Sequence, residues 1–169
     1  MTAYVALLRA VNVGGTGKLP MKDLRTLCES LGFENVRTYI ASGNVVFDSH
    51  AEQATVKREL ERALAEYAGK PVGVFVRTGA ELSELLKRNP FRTAAPNRTV
   101  AVFLDAPPPT DLMSGVSGLA DEEIAPGLQE IYIHYGHGMA SSKLRVAAAR
   151  SGTARNINTI AKLAQLAAS

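Results

Sequence analysis

Several things are scarce in this chain, and each shortage removes a class of protein. One cysteine, Cys28, stands in 169 residues. No internal disulfide is available, and a reducing compartment fits. Tryptophan is absent and aromatic residues make up 6%, which leaves few platforms for stacking bases. The three histidines have no cluster of cysteines or carboxylates beside them, so no metal site is expected. No apolar run approaches the roughly 20 residues of a membrane-spanning helix. The start, Met1-Thr2-Ala3-Tyr4, has no basic segment ahead of it, so no secretory leader is expected and the expected location is cytoplasmic. Acidic residues are missing altogether from Ser141 to Ser169, where Lys143, Arg145, Arg150, Arg155 and Lys162 stand. The rest of the chain holds 14 basic and 16 acidic groups, a net charge of −2, so the overall +3 belongs to the C-terminal segment. Such asymmetry suits an anionic partner and equally suits a solvated helical surface.

What remains is ordinary for a globular protein: 46% hydrophobic and 21% charged residues. The length fits one domain or two small ones, with enough chain to bury a core. Tyr4 to Val11 is apolar apart from Arg9 and reads as a buried strand. Pro20 to Leu31 reads as a helix, with Pro20 at its first position, Gly32 just past its end, and Met21, Leu24, Leu27, Cys28 and Leu31 on one face. Val36–Ile40 and Val45–Phe47 read as strands joined through Ala41-Ser42-Gly43-Asn44, a hairpin signal. Ser49 to Ala68 reads as a second helix with a Ser49/Glu52 capping box and an apolar stripe of Val56, Leu60, Leu64 and Tyr67. Val72–Val76 follows as a strand. Strand, helix, strand, strand, helix, strand is the ferredoxin-like split βαβ order.

The second half follows the same plan with losses. Thr78 and Glu81 form a capping box for a connecting helix that ends at Pro90. Thr99–Leu104 reads as a strand, and Asp111–Val116 as a short helical piece. Glu122–Ala125 and Glu130–Tyr135 read as a hairpin turning at Pro126-Gly127. Ser142–Arg150 and Asn158–Ala168 read as helices. The expected fold is α+β: a ferredoxin-like unit over residues 1–88, a linker over Arg88–Asn97, and a second, incomplete ferredoxin-like unit over 98–169 ending in a C-terminal helix.

The residues Tyr4-Val5-Ala6-Leu7-Leu8-Arg9-Ala10-Val11-Asn12-Val13-Gly14-Gly15, then Met21 and Leu24-Arg25, then Thr38-Tyr39-Ile40-Ala41-Ser42-Gly43-Asn44-Val45-Val46-Phe47, form one signature. Ser142-Lys143-Leu144 and the run from Thr153 to Leu163 form a second. Both resemble the signatures of the bacterial domain-of-unknown-function family sixteen ninety-seven. Ala10 stands where that family usually has glycine, and Ile157 where it often has an aromatic. The resemblance implies a mixed α/β protein with ferredoxin-like halves, and it implies no activity.

Candidate ligand contacts fall in two clusters. In the first, the loop Asn12-Val13-Gly14-Gly15-Thr16-Gly17-Lys18 lies between a strand and a helix. Its glycines open backbone conformations in which successive N–H groups form a concave nest for a phosphate or carboxylate, with Lys18 as counter-charge. It is neither a Walker loop nor a dinucleotide fingerprint, because the glycine spacing and the Ser/Thr position differ. Arg9, near the end of the first strand, adds a cation. In the second, Thr153, Arg155, Asn156, Asn158 and Thr159 stand at the start of the last helix. Asn156 or Asn158 can cap that helix, and the planar fork of Arg155 suits a phosphate, a carboxylate or an internal acidic partner. Ser42 is a hairpin residue, since the Gly-x-Ser-x-Gly frame of a nucleophile elbow is missing. Asn44 beside it can present its amide. His134 and His137, three apart, point to opposite faces of a strand. Cys28 reads as a core thiol.

The expected function is an anion-binding module for a phosphate-type ligand, nucleotide or nucleic-acid backbone, contacted by Arg9, Asn12, Gly14, Gly15, Lys18, Ser42, Asn44, Arg155 and Asn156. No cofactor, metal or membrane is expected. The alternatives are an enzyme acting on a phosphorylated small molecule and a protein-interaction or dimerisation module. A nucleic-acid partner lacks the basic-glycine-aromatic signature of RNA-binding ferredoxin-like sheets.

Overall fold

A computed structural model describes residues 1–9, 19–40 and 43–168. The chain divides into two compact units, Met1–Ser83 together with the stretch from Lys162 onward, and Glu84–Ala161. Among the described residues no helix is long and apolar enough to cross a membrane.

Unit one runs β1 (Thr2–Leu8), α1 (Met21–Ser30), β2 (Glu34–Thr38), β3 (Asn44–Ser49), α2 (Gln53–Ala68), β4 (Val74–Thr78). The strands form one antiparallel sheet in the order β2-β3-β1-β4. Tyr4 lies opposite Phe47 and Thr78, and Ala6 opposite Val45 and Val76. Alternation therefore puts Tyr4, Ala6, Leu8, Val45, Phe47, Val74 and Val76 on one face, where Leu24 and Cys28 of α1 and Val56, Leu60 and Leu64 of α2 close over them. Phe33 stacks on Phe47 with ring centroids 4.3 Å apart. Val5, Leu7, Val46 and Phe75, on the opposite face, are buried too. Burial on both faces is why β1 is an unbroken apolar run.

The helix ends depart from expectation in two places. Pro20 has extended backbone and precedes α1 instead of opening it. The Ser49/Glu52 capping box does not form: Ser49 belongs to β3, its Oγ accepts from the Ala51 amide at 3.1 Å, and Glu52 makes no side-chain cap. The second box does form. The Thr78 amide donates to Glu81 Oε1 at 2.9 Å and the Glu81 amide to Thr78 Oγ1 at 3.1 Å, opening α3 (Gly79–Arg88). Gly32 (φ +85°) and Gly69 (φ +72°) sit just past α1 and α2 in the left-handed conformation that suits glycine.

Unit two contributes β5 (Thr99–Phe103), β6 (Val116–Ser117), β7 (Glu123–Pro126), β8 (Glu130–His134), β9 (Arg145–Val146) and β10 (Thr153–Asn156), followed by α4 (Ile157–Ala168), whose first residues belong to this unit. Its four-stranded sheet has the order β10-β5-β8-β7, and β6-β9 form a separate ribbon. In both four-stranded sheets the first strand lies between the third and the fourth, and the second stands at the edge. The fourth strand of this sheet, β10, occupies residues expected at a helix start. The short helical piece expected at 111–116 is a 3-10 turn at Leu112–Gly115, whereas the helix expected at 142–150 does not form: strand β9 and a 3-10 turn at Ala147–Ala149 stand there. Leu144 and Val146, two apart, both pack on the core of Val100, Val102, Ile131 and Ile133, and a period of two requires extended chain.

Candidate functional site

Loops gather at the C-terminal end of β1. The Leu8 amide donates to the Gly43 carbonyl and the Arg9 amide to the Gly73 carbonyl, each at 2.9 Å. Both flanking segments are thereby tied to the end of the strand. Arg9 is exposed there. A Cβ at position 73 would stand 3.2 Å from Arg9 Cβ and 3.5 Å from its Cδ, so glycine leaves room for the arginine stem. Asn12, Gly14, Gly15 and Lys18 follow Arg9 in sequence and, with Ser42, lie outside the described residues. Leu19 is buried, and α1 begins at Met21. Among the described residues, no side-chain hydrogen bond caps α1. A helix start offers N–H donors and the positive end of the helix dipole, and an arginine fork offers paired donors to a phosphate or carboxylate. The first turn also holds Asp23, whose Oδ2 accepts from the Tyr67 hydroxyl at 2.6 Å.

Asn44, at the same end of the sheet, is fully buried. Its Nδ2 donates to the Tyr39 carbonyl at 3.0 Å, and the Tyr39 amide donates to its carbonyl at 3.1 Å. Ile40 (φ +49°) and Gly43 (φ +83°) make the turn between them. The Asn44 amide thus fastens the hairpin.

Thr153, Arg155 and Asn156 belong to unit two. Arg155 is buried in β10, and its Nη1 donates to Thr153 Oγ1 at 2.8 Å and to the Ala154 carbonyl at 2.9 Å. Burial pulls the guanidinium down to about 10, since a low-dielectric setting disfavours the charged form. It remains a cation at neutral pH. Asn156 Oδ1 accepts from the Thr159 amide at 2.8 Å and caps α4.

The remaining polar candidates have local partners. His134 Nδ1 lies 3.0 Å from Thr99 Oγ1, and the exposed His137 pairs with Asp121. Cys28 is fully buried, and desolvation first, then the charge of Glu29, pushes its thiol up to about 12. A thiol held neutral is a packing group and not a nucleophile.

The conserved bacterial protein SP0830 from Streptococcus pneumoniae has a similar structure, with a TM-score of 0.77 and 24% sequence identity over 98% of each chain. That likeness shows a shared mixed α+β fold of helices and antiparallel sheets. A search of curated proteins found no match. The family model described as "Protein of unknown function (DUF1697)" matches residues 1–132, and the chain belongs to that family.

Proposed function

We propose that the chain is an anion-binding module whose ligand carries a phosphate-type group, and that the ligand sits at the C-terminal end of β1. The observation that supports this most is the exposed Arg9 at the strand end, followed in sequence by the glycine loop and then by the start of α1, where no side-chain cap is made among the described residues. Asn12, Gly14, Gly15 and Lys18 enter on sequence grounds as the nest and its counter-charge, and Ser42 and Asn44 as the neighbouring hairpin. Arg155 and Asn156 are a secondary place for an anion, because both already serve their own unit. The common strand order of the two sheets supports reading each unit as ferredoxin-like, the second with its helices reduced to single turns. A cytoplasmic location goes with this reading, supported by the single buried thiol.

A thermal-shift screen of sulfate, sugar phosphates and nucleotides tests it, since a ligand that binds only the folded state raises the melting temperature by mass action. A dose-dependent rise that shrinks in Arg9→Ala is the expected result. A rise that survives Arg9→Ala and disappears in Arg155→Ala would move the site to unit two. No rise with any anion would end the reading.

A further inference from the structure

The β6–β9 ribbon buries one face and exposes the other. Val116 stands opposite Val146, and Ser117 opposite Arg145. Leu144 and Val146 pack on the core of unit two, while Lys143 and Arg145, alternating with them, are exposed. Two residues of strand place these cations about 6.6 Å apart along the chain. Neither side chain has a hydrogen bond or ion pair among the described residues. Glu122, joined to the neighbouring Ser142, also accepts at 2.7 Å from the Ala120 amide, and Asp121 pairs with His137. Gly118 (φ +70°) permits the close approach of the strap formed by residues 143–146, because a Cβ there would overlap the Lys143 carbonyl oxygen and stand 2.8 Å from its carbon.

Large apolar side chains stand exposed in the segments next to these cations. Met113 (53% exposed) is in the 3-10 turn before β6, Leu119 (48%) follows Gly118, and Met139 (51%) is in the turn before Ser142. One exposed apolar side chain is ordinary. Three of them beside two cations without counter-ions have the make-up of an interface, an apolar centre with a polar rim. We infer that this face docks an acidic polypeptide segment of another protein that carries apolar side chains between its carboxylates. Lys143 and Arg145 select the charge, and the two methionines adapt to the apolar residues. A nucleic acid would leave Met113, Leu119 and Met139 uncovered, and none of these is an aromatic on which a base could stack.

The test is a selection from a displayed library of short random peptides on the full-length protein. The expected result is enrichment of peptides that mix Asp or Glu with Leu, Ile, Phe or Trp. The Kd of a synthetic copy should then rise about tenfold in the double variant Lys143→Glu/Arg145→Glu and also in Leu119→Ser/Met139→Ser. All four positions are exposed, and circular dichroism of each variant verifies the fold. Three results would overturn the proposal: no enriched acidic-apolar class, unchanged affinity in both variants, or equal binding of polyglutamate, which would reduce the face to a plain charge patch. Binding of phosphatidylserine vesicles or of an oligonucleotide in place of peptide, or self-association lost in the variants, would assign the face to those partners and overturn it too. The anion site at β1 is untouched by these substitutions, so its thermal shift with phosphate ligands is an independent result.

Discussion

Two glycines with nearly the same backbone angle give a test of how tightly the 143–146 strap is held. Gly69 has φ +72° with nothing within 4 Å of a built Cβ, whereas Gly118 has φ +70° with the Lys143 carbonyl carbon at 2.8 Å. Gly69→Ala therefore reports the conformational term alone, about 1–2 kcal/mol for an L-residue in left-handed backbone. Gly118→Ala adds displacement of packed main chain, on the order of another 1–3 kcal/mol, for about 2–5 kcal/mol in all. The two sites lie in different units, so a single two-state unfolding free energy is not the right quantity. Native-state hydrogen exchange is, read at the Val46 amide for unit one and the Ile131 amide for unit two. Gly69→Ala should lower the opening free energy at Val46 by the smaller amount, and Gly118→Ala that at Ile131 by the larger. Equal losses in the two variants, or a neutral Gly118→Ala, would refute the close approach of Gly118 to Lys143 and with it the fixed position of the basic strap.

Other outcomes follow from single contacts. Asn156→Ala removes the cap of α4 and should cost about 1 kcal/mol, with Asn156→Asp recovering most of it, read as local opening free energies by native-state hydrogen exchange. Tyr132→Phe leaves the Leu85 carbonyl without the hydroxyl that reaches it at 2.7 Å in the interior, a loss of about 1–3 kcal/mol by the same measurement. Cys28, its thiol raised to about 12 by burial, should resist a disulfide reagent at pH 8 in the native state and react at once in denaturant. Glu122 is held below the usual carboxylate range, first by the Ser142 hydroxyl and then by the Ala120 amide. A lowered folded value means that its contribution is present above the unfolded value and is lost as pH falls through the folded one. Ser142→Ala should move its NMR-monitored titration upward.

Unit one was readable because its elements obey their own periods. The apolar stripe of α2, Val56, Leu60 and Leu64, is spaced for a helix and is buried as one. β2 runs Glu34–Thr38 instead of 36–40 because Ile40, at φ +49°, is part of the turn. Unit two hid its plan in two ways. Ala147-Ala148-Ala149 has strong helical propensity, yet the burial of Leu144 and Val146 on one side keeps the preceding chain extended and leaves one 3-10 turn. β10 alternates in the wrong sense for a hydrophobic pattern: Thr153 and Arg155 are buried while Ala154 is exposed, so a strand reads as a polar cluster. The same inversion made Arg155 stand out as a ligand residue, when much of its hydrogen bonding is spent on its own strand. The exposed Met113, Leu119 and Met139 carried no signal, because helical placement of 142–150 concealed the ribbon in the neighbouring segments.

The measurement closest to the central claim is a ¹⁵N chemical-shift titration of the full-length protein with a phosphate-bearing ligand taken from the thermal-shift screen. The account predicts that perturbed amides concentrate at Arg9, the 12–18 loop and the first turn of α1, with smaller shifts at Gly43 and Gly73, and that Arg9→Ala weakens the titration. Perturbations confined to Lys143–Arg150 or to β10, or none at ligand concentrations that raise the melting temperature, would contradict it.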